Sequence, residues 1–101
     1  MAPSNLVGEA IGTYSVLLRW TDNSADEDGF VIYRSVGGPY EVAAQVQQDV
    51  TVYTDVIDAS CVEASYYLVA KTGEAESSNS NFITVPLLCG PESFLEEPGL
   101  N

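Results

Sequence analysis

Alternation with a period of two residues is the feature that most constrains this chain. From Ser15 one set reads Val16, Leu18 and Trp20, and the other Leu17, Arg19 and Thr21. From Phe30 the sets are Phe30, Ile32 and Arg34 against Val31, Tyr33 and Ser35. Successive side chains of a strand point to opposite faces, so each run offers one apolar face and one mixed face. Both runs are rich in β-branched and aromatic residues, which suit a pleated surface. Similar runs cover residues 40–46, 51–56, 64–72 and 82–87, with a short opening run near 6–10. None carries a 3.6-residue period with caps, so no substantial helix is predicted.

Turn formers separate the runs. Residues 11–13 and 22–29 are polar or glycine-bearing connectors, and Gly37-Gly38-Pro39 reverses the chain between the third and fourth strands. Residues 73–81 are rich in Gly, Glu, Ser and Asn and read as a solvated loop. Seven short strands at near-regular spacing in 101 residues predict one all-β, two-sheet sandwich. The pattern stops after Leu88. Residues 1–88 therefore form the expected folding unit, and 89–101, with Gly90-Pro91 and Pro98-Gly99, an acidic tail or linker.

Charge removes whole classes of function. Three basic and fifteen acidic residues give a net charge of −12, and Arg19, Arg34 and Lys71 are the only cations. A nucleic-acid partner needs a basic footprint, so none is expected. Anionic membrane surfaces fall for the same reason, and no apolar run approaches the roughly 20 residues that span a bilayer. No histidine is present, which removes the usual general base. Met1-Ala2-Pro3-Ser4-Asn5 lacks the basic and apolar regions of a leader, so the chain reads as a mature or excised module, monomeric in isolation. The acidity suits a high-salt habitat or plain solubility of a secreted surface.

The motifs then converge. Pro3-x-x-Leu6 opens the first strand and Trp20 closes the second. Asp22-Asn23-Ser24 precedes Gly29-Phe30-x-Ile32-x-Arg34, followed by Tyr53-x-Asp55 and Tyr66-x-Leu68-x-Ala70. In this order and spacing, from residue 3 to 87, the chain resembles a fibronectin type III module of bacterial surface and secreted multidomain proteins. The resemblance implies a seven-stranded antiparallel sandwich of immunoglobulin-like type. Strands one, two and five would form one sheet, and three, four, six and seven the other. Trp20, Phe30, Tyr53 and Tyr66 would be the large inward anchors, with Leu6, Val16, Leu18, Ile32, Val46, Leu68, Ile83 and Val85 between them. A true immunoglobulin domain is excluded, because both cysteines follow Trp20 and neither sits at a strand centre. The family's leucine and tyrosine at the turn into the sixth strand fall on Asp58 and Ala64, unless Tyr66 takes the tyrosine's place through a two-residue insertion.

The resemblance also implies a disulfide. The connection between strands five and six shares a pole with the end of strand seven, which brings Cys61 and Cys89 together. The bridge closes 28 positions, constrains the unfolded chain by roughly 3.5 kcal/mol and implies an oxidising compartment. Two separate thiols, or pairing with another chain, are the alternatives.

No enzyme activity and no cofactor are expected: the acids are scattered, and pairs such as Asp26 with Asp28 lack the cleft a glycosidase needs. No metal site is expected either. Asp22, Asp26 and Asp28 are weak candidates, since the segment departs from the spacing of a helix–loop–helix calcium loop. The loop Thr72-Gly73-Glu74-Ala75-Glu76 lacks the Arg-Gly-Asp adhesion tripeptide of some animal relatives, and no Asn-x-Ser/Thr acceptor occurs. A candidate interaction face remains on the outer side of strands three, six and seven: Val31, Tyr33, Tyr67, Val69 and Phe82. It would dock a neighbouring domain or another chain, stabilise the sheet through cross-strand pairs, or be covered by the tail through Phe94 and Leu95. The expected function is that of an extracellular, secreted or cell-surface module: a spacer, positioning unit or protein-interaction platform. The alternative is a dedicated carbohydrate- or protein-binding domain using that face or the loops.

Overall fold

The computed structural model describes residues 2–24, 27–57 and 62–87. The strands are β1 (Ser4–Ala10), β2 (Ser15–Thr21), β3 (Gly29–Ser35), β4 (Glu41–Gln47), β5 (Val52–Val56), β6 (Glu63–Thr72), β7 (Ala75–Glu76) and β8 (Ile83–Pro86). They form two antiparallel sheets, β1-β2-β5 and β4-β3-β6, with β7 and β8 sharing the far edge of β6. The strand grouping is the expected one, with β8 in the place of strand seven.

The two-residue β7 lies inside the segment that the sequence suggests is a loop. It forms because Gly73, at φ 63, supplies the left-handed turn that returns the chain along β6. Asp28 clamps this turn, its carboxylate accepting the Gly73 N–H while its own N–H donates to the Lys71 carbonyl at 2.7 Å. Between β7 and β8 the ladder continues on serine side chains. Ser77 Oγ accepts the Ala70 N–H at 2.9 Å and Ser80 Oγ the Leu68 N–H at 3.0 Å, while both serine N–H groups donate to the carbonyls of the same residues.

β1 carries a bulge at Asn5, whose φ is 56, and its register with β2 shifts between Ser4 and Val7. The shift leaves the Leu6 peptide groups facing Asn81. The Asn81 carboxamide takes both: Oδ1 accepts the Leu6 N–H and Nδ2 donates to the Leu6 carbonyl, each at 2.9 Å. One amide side chain thus pairs like a strand and closes the β1–β8 edge of the sandwich.

Leu6, Val16, Leu18, Trp20, Phe30, Ile32, Tyr66, Leu68 and Val85 are buried between the sheets, and Trp20 meets Phe30 edge-on at 5.7 Å. Tyr53, Val46 and Ile83, expected inside, are only partly buried at the margin of the core. Gly29 belongs here for steric reasons, since a Cβ at that position would run into the Val46 carbonyl oxygen of the paired strand.

A polar network spans the other edge. Asp55 on β5 is 3% exposed and accepts both Arg34 Nη1 contacts from β3, at 3.0 and 2.9 Å. The Tyr66 hydroxyl, from β6, donates to Asp55 Oδ2 at 2.7 Å. Tyr66 is thus an inward anchor, as expected, and its hydroxyl joins β6 to β5. Burial, the hydrogen bond to Asp55 and the Asp55 charge all hold the phenol well above its usual range, against the opposing pull of Arg34. Burial works against the Arg34 charge, but Asp55 more than offsets it and the guanidinium is held above its usual range.

Two outcomes follow for stability. Below about pH 10 the folded and unfolded chains both keep the Tyr66 proton, and its contribution is present in full. Above that the unfolded phenol ionises while the folded one does not, so stability falls by about 1.4 kcal/mol per pH unit from this residue. Urea titrations between pH 8 and 11 should show Tyr66→Phe lacking this slope, after an initial loss of about 1.5–3 kcal/mol. Asn81→Ala, which strands both Leu6 peptide groups, should lower unfolding free energy by about 1–2 kcal/mol in the same assay.

Candidate functional site

Two surfaces carry groups that could act on a partner. The first is the pole formed by the connections at 22–28 and 48–51. Asp22, Glu27 and Asp49 each place a carboxylate oxygen within 4.8 Å of the others. The loops meet because Glu27, only 3% exposed, accepts the Asp49 N–H on Oε2 at 3.1 Å. Asp49 sits at φ 64, a conformation its short polar side chain tolerates in a tight turn. Asp22 accepts the Ser24 N–H at 2.9 Å, and Asn23 Nδ2 reaches the Ala2 carbonyl and Ser4 Oγ at 2.9 Å each, tying the chain start to this pole.

Of the sequence candidates Asp22, Asp26 and Asp28, Asp22 belongs to this cluster. Asp28 is turned to the Gly73 turn, and Asp26 lies outside the described residues. Among the described residues Glu27 and Asp49 complete the cluster with Asp22. Spacing along the chain could not reveal Asp49, which enters from a separate connection. Three carboxylates suit a hard divalent cation chemically, yet monodentate binding supplies only about half of the 6–8 oxygens that calcium takes.

The second surface is the outer face of the five-stranded sheet. Tyr33 and Tyr67 are directly paired across β3 and β6, and their rings stack at 4.9 Å with 14° between planes. Tyr40 meets Tyr67 edge-on at 4.9 Å and 64°, and Phe82 meets Tyr67 at 4.8 Å and 39°. Tyr40 and Phe82 touch at 5.9 Å and 77°. The Tyr33 hydroxyl donates to Glu76 Oε2 at 2.9 Å. Slight burial, then that hydrogen bond and the Glu76 charge, raise the Tyr33 phenol above its usual range.

The expected strip is thus corrected at two positions and extended at two. Val31 and Val69 face each other at the centre of the sheet and are 3% and 1% exposed, so they are floor rather than surface. Tyr40 and Val42 join instead. Strict alternation would place Val42 with Ala44 and Val46, but the β3–β4 register shifts between Ile32 and Tyr33. That shift sets Val42 opposite Tyr33 and leaves it exposed, while Ala44 and Val46 pack against the core. The signal that could have found Tyr40 was its position directly after Pro39, where a strand starts.

Farther along the same face a shallow groove of about 500 Å3 is lined by Ser35, Val36, Gly37, Val62, Glu63 and Ser65. Among the described residues its lining carries one carboxylate, Glu63. Cys61 and Cys89, expected to bridge, both lie outside the described residues.

The acidic pole yields a clear expectation. Glu27→Gln keeps an acceptor for the Asp49 N–H while removing one of three clustered charges, and should change stability by less than about 1 kcal/mol at low salt. Glu27→Ala strands that N–H and should cost about 1–3 kcal/mol. Thermal denaturation of both variants at matched ionic strength makes the comparison.

No protein-family model matches the sequence, and no curated protein matches it. Solved structures do. An Fn3-like protein from Clostridium thermocellum superposes with a TM-score of 0.71 at 22% identity, over 86% of this chain and 92% of that one. A two-domain fibronectin type III segment of chicken tenascin gives 0.80 at 20% identity, over 89% of this chain and 51% of that one. A β-1,2-glucanase from Parabacteroides distasonis gives 0.76 at 24% identity, with 93% of this chain matching 14% of the enzyme. With the strand order, the inward anchors and the absence of helix among the described residues, these likenesses agree on one architecture: the chain has the fibronectin type III fold.

Proposed function

We propose that the chain is a non-catalytic module of a larger extracellular protein, a spacer that holds its neighbours apart in a fixed orientation. The observation that carries this reading is where the described chain begins and ends. Ser4 pairs with Thr21 beside the 22–28 connection, whereas the Leu87 N–H donates to the Val62 carbonyl at the opposite pole. Ser4 and Leu87 thus stand at opposite poles of the sandwich, an arrangement that suits flanking domains set end to end. Relatives in fold support the reading, since the tenascin segment holds two such domains and a chicken contactin structure holds FN1–FN3. The extracellular part rests on the Cys61–Cys89 pairing expected from the sequence. A second reading, a dedicated carbohydrate- or protein-binding domain, draws on the aromatic outer face and on the fold's occurrence inside a glucanase.

The spacer reading is tested by fusing one copy, then two in tandem, between fluorescent reporters. The separation should grow in proportion to copy number with a narrow distribution, whereas a coil lengthens only as the square root. Square-root growth would remove the spacer role, and turnover of a glycan by the isolated chain would remove the non-catalytic one.

A further inference from the structure

We propose that the aromatic belt on the outer sheet face docks a cationic segment of a partner protein, one presenting arginine or lysine side chains. The proposal rests on the reading of the chain as a non-catalytic module and names the chemistry of what its face would recognise. The belt runs across β4, β3, β6 and the approach to β8 as Val42, Tyr33, Tyr67 and Phe82, with Tyr40 against the last two. Phe82 is 56% exposed, Val42 53% and Tyr40 37%, an amount of contiguous apolar surface that soluble domains seldom leave unused.

Charge selects the occupant. Glu76 is hydrogen-bonded to the Tyr33 hydroxyl at the rim, while Glu41, paired with Arg34 on the other face of the sheet, adds to the overall −12. Against these acids the chain sets few cations. Arg34 is committed to Asp55, Arg19 lies on β2 of the other sheet, and Lys71 stands four residues along β6 from Tyr67, opposite Glu76. A guanidinium or ammonium on one of the exposed rings gains a cation–π contact, and the Glu76 carboxylate on the Tyr33 hydroxyl adds its charge at the rim.

The same charges disfavour the other occupants. A second copy brings another −12, and residues 88–101 carry Glu92, Glu96 and Glu97 with no cation. A sugar chain stacks on free ring faces that lie nearly parallel. Here the parallel pair, Tyr33 and Tyr67 at 14°, is stacked so that each ring covers a face of the other, and Tyr40 and Phe82 meet Tyr67 at 64° and 39° and each other at 77°.

The test is a chemical-shift titration of the isotopically labelled chain with three probes: a peptide of three arginines spaced by glycine, its glutamate counterpart, and cellohexaose. The arginine peptide should shift the Tyr33, Tyr67 and Phe82 amides saturably, with Kd about 1 mM or tighter. Affinity should drop at least fivefold in 0.5 M salt, in the Tyr40→Ser/Phe82→Ser double variant, and in Glu76→Gln, which leaves every ring in place. Shifts confined to the Asp22–Glu27–Asp49 pole, unsaturable shifts, or full affinity in both variants would overturn the proposal. So would an equal response to the glutamate peptide or to cellohexaose, or movement of the belt resonances with protein concentration alone. The reporter separation of the fusion proteins is independent of this result, so the two readings fail separately.

Discussion

One buried carboxylate ties the two sheets of this sandwich together. Asp55 lies between the sheets at 3% exposure, and its partners arrive from two strands of the opposite sheet. A buried ion pair adds little net stability over a well-packed apolar replacement, but removing one member leaves an uncompensated charge and costs several kcal/mol. The network therefore acts as a constraint on geometry. A one-residue slip of β5 would turn Asp55 to solvent and leave Arg34 and the Tyr66 hydroxyl facing Thr54 or Val56 in its place. Strand register in β3, β5 and β6 is set jointly.

The opposite edge is closed by different means. There the Asn81 carboxamide pairs with the Leu6 peptide, and the β1 bulge presents that peptide to it. Between the two polar closures the core is apolar and carries the hydrophobic driving force, at roughly 1.5–3 kcal/mol per buried large side chain before chain entropy is counted. Polar side chains thus close both margins of an apolar interior. The faces left over, an acidic pole and an aromatic belt, are free to differ without disturbing the core.

Much of this was legible in the sequence, and the exceptions share a cause. Alternation located the strands and their inward residues from Val16 to Val85, because a half-buried strand must repeat every two residues. The motif Tyr66-x-Leu68-x-Ala70 placed its three residues inside, at 0%, 1% and 5% exposure. What alternation missed lies at irregularities or across connections. The register shift after Ile32 brought Val42 outward, and the bulge at Asn5 started β1 earlier than the apolar run suggested. Val31 and Val69 show the limit of a two-face picture: at the centre of a five-stranded sheet an outward residue can still be shielded from solvent. The acidic cluster joins two connections that no local pattern links.

The serine-mediated stretch between β7 and β8 has a consequence for crowding. An edge strand normally displays a regular row of unpaired N–H and C=O groups, which another chain can extend. Here the edge beyond β6 breaks after two residues of β7, proceeds through Ser77 and Ser80 side chains, and resumes only for four residues of β8. Among the described residues, no uninterrupted row of peptide groups long enough to seed a foreign strand is presented on that side. Many such modules strung close together in one protein could lie side by side without zipping into a shared sheet, and their own covalent order would keep them at high local concentration at little risk of misassembly.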